Sequence, residues 1–125
     1  MTINQAIMQV NELLENNISE DIKVKWLSDL DYGIFLDVIL THEVTEEVNF
    51  TPYDADTDRD TVLLVPAPYD GMYPAYLKMK INSELYEYAR YNANRDEFNA
   101  ILADFKAYYN RNYRPSKYNN MKYWG

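Results

Sequence analysis

A single histidine (His42), four alternating aspartates (Asp54, Asp56, Asp58, Asp60) and a cation–aromatic tail beyond Arg111 are the residues whose types and spacing could do chemistry. The aspartates begin as a calcium-binding EF-hand loop begins. The sixth position, where that loop needs glycine, is Arg59, and the twelfth, where it needs a bidentate glutamate, is Val65. A solvated acidic turn is therefore expected, because aspartate favours turns by bonding its own backbone. His42 falls at the expected end of a helix, where a cation meets free carbonyls. With one histidine and no cysteine, neither a transition-metal site nor a disulfide is expected. The three glycines, Gly33, Gly71 and Gly125, are scattered, so no phosphate loop can form. No Ser–His or Cys–His pair is evident. The chain reads as a non-enzyme with no catalytic residues, no cofactor and no metal.

The tail leaves two chemistries open. Arg111, Arg114, Lys117 and Lys122 alternate with Tyr113, Tyr118, Tyr123 and Trp124. Cations neutralise phosphates and aromatic faces stack on bases, which suits nucleic acid. A net charge of −8 repels a polyanion, and docking on an acidic protein surface, such as the acidic half of a sister subunit, explains the same residues. Charge is divided along the chain: residues 1–60 carry a net −11 and residues 61–125 a net +3. Tyrosine is abundant, at 13 residues against 4 phenylalanines and 2 tryptophans. Its amphipathic ring suits either the rim of a core or a protein interface.

The elements that position these residues follow from periodicity. Ile3, Ala6, Ile7, Val10, Leu13 and Leu14 mark one face of a first helix ending at Asn16-Asn17. Ser19 reads as the N-cap of a second helix over 20–41, with Ile22, Trp26, Leu30, Ile34 and Val38 on one face and Gly33 weakening its middle. The stretch 43–66 suits a small β-hairpin or a long packed loop, with Val48-Asn49-Phe50-Thr51 alternating and Val62-Leu63-Leu64-Val65 apolar. Asp70 is placed to cap a third helix that begins near 71–73 and carries Tyr73, Leu77, Ile81, Leu85 and Tyr88. Asn92-Ala93-Asn94 reads as the next break. Asn94 and Glu97 then form a capping-box pair opening a fourth helix over 95–111, with Phe98, Ile101, Leu102, Phe105 and Tyr109 inward. The expectation is a mainly α, four-helix antiparallel domain over 1–112, followed by a basic aromatic tail over 113–125. Trp26, Leu30, Tyr73, Leu77, Phe98 and Phe105 should be core. No apolar run approaches membrane-spanning length and no basic leader opens the chain, so a soluble intracellular protein is expected.

Several strings occur here in order: Lys25-Trp26-Leu27-Ser28-Asp29-Leu30-Asp31, Phe50-Thr51-Pro52-Tyr53-Asp54, Leu63-Leu64-Val65-Pro66-Ala67-Pro68-Tyr69-Asp70, Tyr88-Ala89-Arg90-Tyr91-Asn92 and Phe98-Asn99. Over residues 5–112 the chain resembles the head–tail connector (adaptor, neck) proteins of tailed phages and prophages of Gram-positive bacteria. The resemblance implies a helical homo-oligomeric ring stacked on the portal protein, joining it to a head-closure or tail protein, with DNA only as passing cargo. Location would be the host cytoplasm during assembly and the virion neck afterwards. Apart from the resemblance, which does not reach the tail after Arg111, the contact elements should be the loop 48–65 and the tail 106–124, with Phe50, Tyr53, Asp54, Asp56, Asp58, Arg111, Arg114, Lys117, Tyr118 and Trp124 as interface candidates. The alternative is a small acidic phage-encoded regulator that binds one protein partner as a monomer or dimer.

Overall fold

The computed structural model describes residues 1–43 and 49–115. Val48 of the expected alternation and Lys117, Tyr118 and Trp124 of the tail lie outside the described residues. Four α-helices carry the fold: α1 (Ile3–Leu13), α2 (Glu20–Ile34), α3 (Met72–Glu84) and α4 (Tyr88–Asn112). A π-helical segment, Phe35–Ile39, continues α2, and a 3₁₀ turn, Tyr69–Gly71, leads into α3. The mainly α, four-helix expectation is met. The described part of 43–66 holds no strand. Val62 there forms an isolated antiparallel bridge with Thr2.

Local chemistry explains the starts. Thr2 and Gln5 form a reciprocal capping box on α1, and the Ser19 hydroxyl accepts the Ile22 amide at 3.3 Å to open α2. Asp70 does not cap α3. Its carboxylate lies 3.6 Å from the Met1 ammonium, and Gly71 stands at the cap position with no side-chain bond.

The largest departure is the junction of α3 and α4. The expected break at 92–94 is helix, and the chain turns instead at Leu85–Glu87. Two backbone bonds close that turn, Tyr86 N–H to Ser83 O at 3.2 Å and Glu87 N–H to Asn82 O at 2.9 Å. This is a Schellman closure, which places its central residue in the left-handed region. Tyr86 occupies it with φ 58°. Asn94 lies inside α4, where its side-chain oxygen accepts Asn82 Nδ2 at 2.8 Å and pins the two helices together.

α3 is the central helix and touches each of the other three. Its Met72, Tyr73, Pro74, Ala75, Leu77, Ile81 and Asn82 are buried around much of its circumference, as a surrounded helix requires. Tyr73, Leu77, Phe98 and Phe105 are core, as expected. Trp26 and Leu30 are not: they are half-buried at the margin, while Ile22 is exposed. The buried face of α2 is Lys23, Val24, Leu27, Ser28, Asp31 and Ile34. The side that the four-residue spacing marks as apolar is thus rotated off the core, and polar residues take the buried positions.

Candidate functional site

The centre of the structure is a buried carboxylate. Asp31 has no solvent exposure and accepts three hydrogen bonds. Tyr53 Oη donates to Oδ2 at 2.6 Å, Tyr73 Oη to Oδ1 at 2.6 Å, and the Leu64 amide to Oδ2 at 3.0 Å. Tyr73 Oη also accepts the Val65 amide at 2.7 Å, and Ser28 Oγ accepts the Tyr53 amide at 2.9 Å. Burial pushes the Asp31 carboxyl above its ordinary range, against the pull of its three donors. Burial and the neighbouring carboxylate raise the phenols of Tyr53 and Tyr73. Every donor is a side chain or amide of the fold itself, so Asp31 serves to clasp the loop 53–65 onto α2 and α3. In the sequence Asp31 stands out only as the last residue of the string Lys25-Trp26-Leu27-Ser28-Asp29-Leu30-Asp31. The available signal was its place between Leu27 and Ile34, four and three residues away on one helical face.

The loop that Asp31 anchors runs back along α2. Phe50 meets Tyr32 and Phe35, with ring centroids 5.9 Å apart in both pairs. Tyr53 follows beside Ser28 and Asp31, and Arg59 reaches Glu20 at 3.5 Å and Asp21 at 3.4 Å. The chain then returns past α1 through Arg59 O to Asn4 N–H, Thr61 O to Ile3 N–H and Leu63 N–H to Met1 O. Asp54, Asp56, Asp58 and Asp60 are all exposed on this excursion. Asp54 Oδ1 accepts the Asp56 amide at 2.9 Å and Asp58 Oδ1 the Asp60 amide at 2.8 Å, the self-bonding that makes aspartate a turn residue. Among the described residues, no three His, Asp or Glu side chains converge as a metal site requires.

The opposite end of the α2 arm is tied to α4. His42 Nδ1 lies 2.6 Å from Val38 O and Nε2 2.7 Å from Asn110 Oδ1, while its ring meets Tyr109 edge-on at 5.0 Å. The histidine therefore contacts a late carbonyl of its own helix, as expected, and also bridges to α4. Glu43 N–H donates to Arg114 O at 2.7 Å and His42 pairs antiparallel with Pro115. Arg111 and Arg114 are exposed there. The structure thus sets Asp54, Asp56 and Asp58 beside the first half of α2, and Arg111 and Arg114 beyond the end of the π-helical segment. It does not bring these candidates together. Phe50 and Tyr53 sit half-buried against α2.

Between these ends α2 and α4 do not pack on each other, and a groove of about 290 Å³ opens between them over Tyr76 of α3. Leu30, Ile34, Val38, Phe98 and Leu102 line it, with Asp29, Asp37 and Lys106 also at its walls. Gly33 faces open space there: a Cβ built on it meets nothing within 4 Å.

Tyrosines divide between these settings. Tyr69, Tyr109 and Tyr113 join Phe105 in a packed aromatic run with centroid spacings of 4.5–5.6 Å. Tyr86 and Tyr88 instead stand out at 75% and 65% exposure on a hairpin tip where every residue from 83 to 90 is exposed. No helix among the described residues is long and apolar enough to cross a membrane. No family model matches the chain, no curated protein matches its sequence, and no solved structure matches its fold.

Proposed function

We propose that the protein is a structural assembly component of a tailed phage or prophage, a head–tail connector that forms a ring on the portal and receives a head-closure or tail protein. The ordered strings between Lys25 and Asn99 suggest the family. The observation that carries the mechanism is the separation of charge along the α2 arm, with Asp54, Asp56, Asp58 and Asp60 at one end and Arg111 and Arg114 at the other. Twenty helical residues separate the ends by roughly 25–30 Å. A ring needs a heterologous contact, one patch of a copy against a different patch of the next. Opposite charges on opposite ends supply such a pair and fix its direction. The acidic excess leaves DNA as passing cargo, since carboxylates make no phosphate contacts.

Co-expression with a portal protein, followed by negative-stain imaging, tests this. Rings are expected on portals at low salt and should thin out near 1 M salt, where the screening length falls to about 3 Å. Replacing Asp54, Asp56 and Asp58 by lysine should abolish rings, and adding Arg111→Glu and Arg114→Glu should restore them. Rings that form regardless of salt and charge reversal would sink the pairing, and portals that stay bare would sink the connector reading.

The exposed apolar tip, with Leu85, Tyr86 and Tyr88 at 45%, 75% and 65% exposure, favours a second reading. In it the protein is a small acidic regulator whose tip enters a pocket on a single partner protein. Loss of portal binding together with retained capture of one host protein by the tip would select it.

A further inference from the structure

The groove between α2 and α4 has apolar walls and two aspartates, and the described chain ends at Pro115, paired with His42 four residues beyond the lining residue Val38. We propose that residues 116–125 fold back into this groove of their own chain. Three observations point there. The first is direction. Arg114 O accepts the Glu43 amide at 2.7 Å and Pro115 pairs antiparallel with His42, so the chain after Pro115 heads towards Thr41 and the π-helical segment. That segment and α4 form the near end of the groove.

The second is length. Ten residues follow Pro115, and ten extended residues span about 33 Å. Val38 and Asp29, at the two ends of the α2 wall, are nine helical residues apart, about 14 Å. The tail can turn and still run the whole groove.

The third is chemistry. Residues 116–125 contain Lys117 and Lys122, no acid, and Tyr118, Tyr123 and Trp124. The groove offers Asp29 and Asp37 on the α2 wall and Leu30, Ile34, Phe98 and Leu102 for aromatic rings, with Lys106 the one opposing cation near the entry. Gly33 keeps the wall low, because no side chain projects where a ring would lie. An apolar groove open along one side suits an aromatic side chain, whereas small-molecule pockets bury most of their ligand's surface. This inference does not depend on the connector reading: it concerns the free chain.

The test is site-specific photocrosslinking in the full chain. A benzophenone amino acid replaces Tyr118 or, separately, Trp124, and equal amounts of ¹⁵N-labelled and unlabelled protein are mixed before irradiation. Mass spectrometry is expected to find crosslinks to residues 30–38 or 98–106 within light or within heavy chains only. Gly33→Trp, which fills the groove, should abolish them, and Asp37→Lys should reduce them severalfold, with helical circular dichroism unchanged in both. Crosslinks to other surfaces, no crosslinks, or heavy–light pairs showing a tail from another copy would each overturn the proposal. Should Gly33→Trp unfold the chain, the Asp37→Lys yield decides alone: an unchanged yield rejects the groove.

Discussion

The hydroxyl of Tyr73 donates to Asp31 Oδ1 at 2.6 Å and accepts the Val65 amide at 2.7 Å, so one phenol oxygen serves a helix carboxylate and a loop backbone group together. Tyr53 gives Asp31 a bond of equal length but accepts nothing from the described residues. The two tyrosines therefore differ in cost. Tyr73→Phe removes one bond to the carboxyl and orphans a buried amide, which should lower stability by about 2–4 kcal/mol. Tyr53→Phe loses a single bond at a half-buried ring and should cost about 1–2 kcal/mol. Urea unfolding of the two variants checks the order, and equal costs would mean that the Val65 amide finds another acceptor.

Asp31→Ala should be the most damaging single change at this centre. It leaves two phenols and the Leu64 amide without their acceptor, each worth about 1–3 kcal/mol when buried and unpaired. A loss of roughly 4 kcal/mol is expected, a large part of the 5–15 kcal/mol typical of a domain. Thermal unfolding followed by circular dichroism measures it. A shift of only a few degrees would show that Asp31 is not the clasp described.

Asp31 also sets a pH dependence. Burial raises its carboxyl above the unfolded value of about 3.9, so the folded state binds the proton more tightly. The stabilisation from this group is complete below the unfolded value and is lost as pH rises through the folded one. Asp31→Asn cannot titrate. The stability of the parent minus that of the Asn variant should therefore fall as pH rises above about 4, measured by denaturant titration at matched ionic strength. A difference that grows with pH would reverse the assigned sign.

Tyr86 pays for the α3–α4 turn in backbone strain. Its φ of 58° costs a non-glycine residue about 1 kcal/mol, and its ring is 75% exposed and returns little packing. Tyr86→Gly should raise stability by about 1 kcal/mol, seen as an increase in Tm. An unchanged or lower Tm would show that the ring's contact with Tyr88, centroids 6.4 Å apart, outweighs the strain.

Gly33→Ala should also stabilise. The added methyl meets nothing within 4 Å, and alanine gains about 1 kcal/mol over glycine inside a helix. Denaturant melts should show a gain of roughly 0.5–1 kcal/mol, and a loss would mean that the groove is occupied more tightly than an added methyl allows.

The start of α2 was legible, whereas Asp70 does not cap α3 and Asn94 lies inside α4. Ser19 carries a side-chain signal for α2, and it is obeyed. The end of α3 was illegible because its closure uses no glycine or asparagine: Tyr86 takes the left-handed position, and sequence alone points onward to the Asn92–Asn94 cluster. Those asparagines are tolerated inside α4, where Asn94 is occupied by Asn82 from the neighbouring helix. The inward face of α2 differs from the periodic expectation for a related reason. Ile22, Trp26 and Leu30 advertise an apolar stripe, yet Ser28 and Asp31 are the residues buried, because donors from the loop satisfy them. Such partners lie far along the chain and leave no periodic trace. The acidic turn, by contrast, was readable from Asp54 to Asp60, since each bond it makes is local.

The donors to Asp31 arrive from 22, 33 and 42 positions away. No fragment ending before Tyr73 holds all of them, so the carboxyl cannot be satisfied until α3 has emerged and the intervening loop has closed. Closing long loops is entropically costly and slows folding relative to simple helical hairpins. The α3–α4 hairpin is the local exception, able to form early and wait. A chain cut within residues 53–65 should therefore leave the carboxyl without part of its donor set, Tyr53 on one side of the cut and Tyr73 on the other.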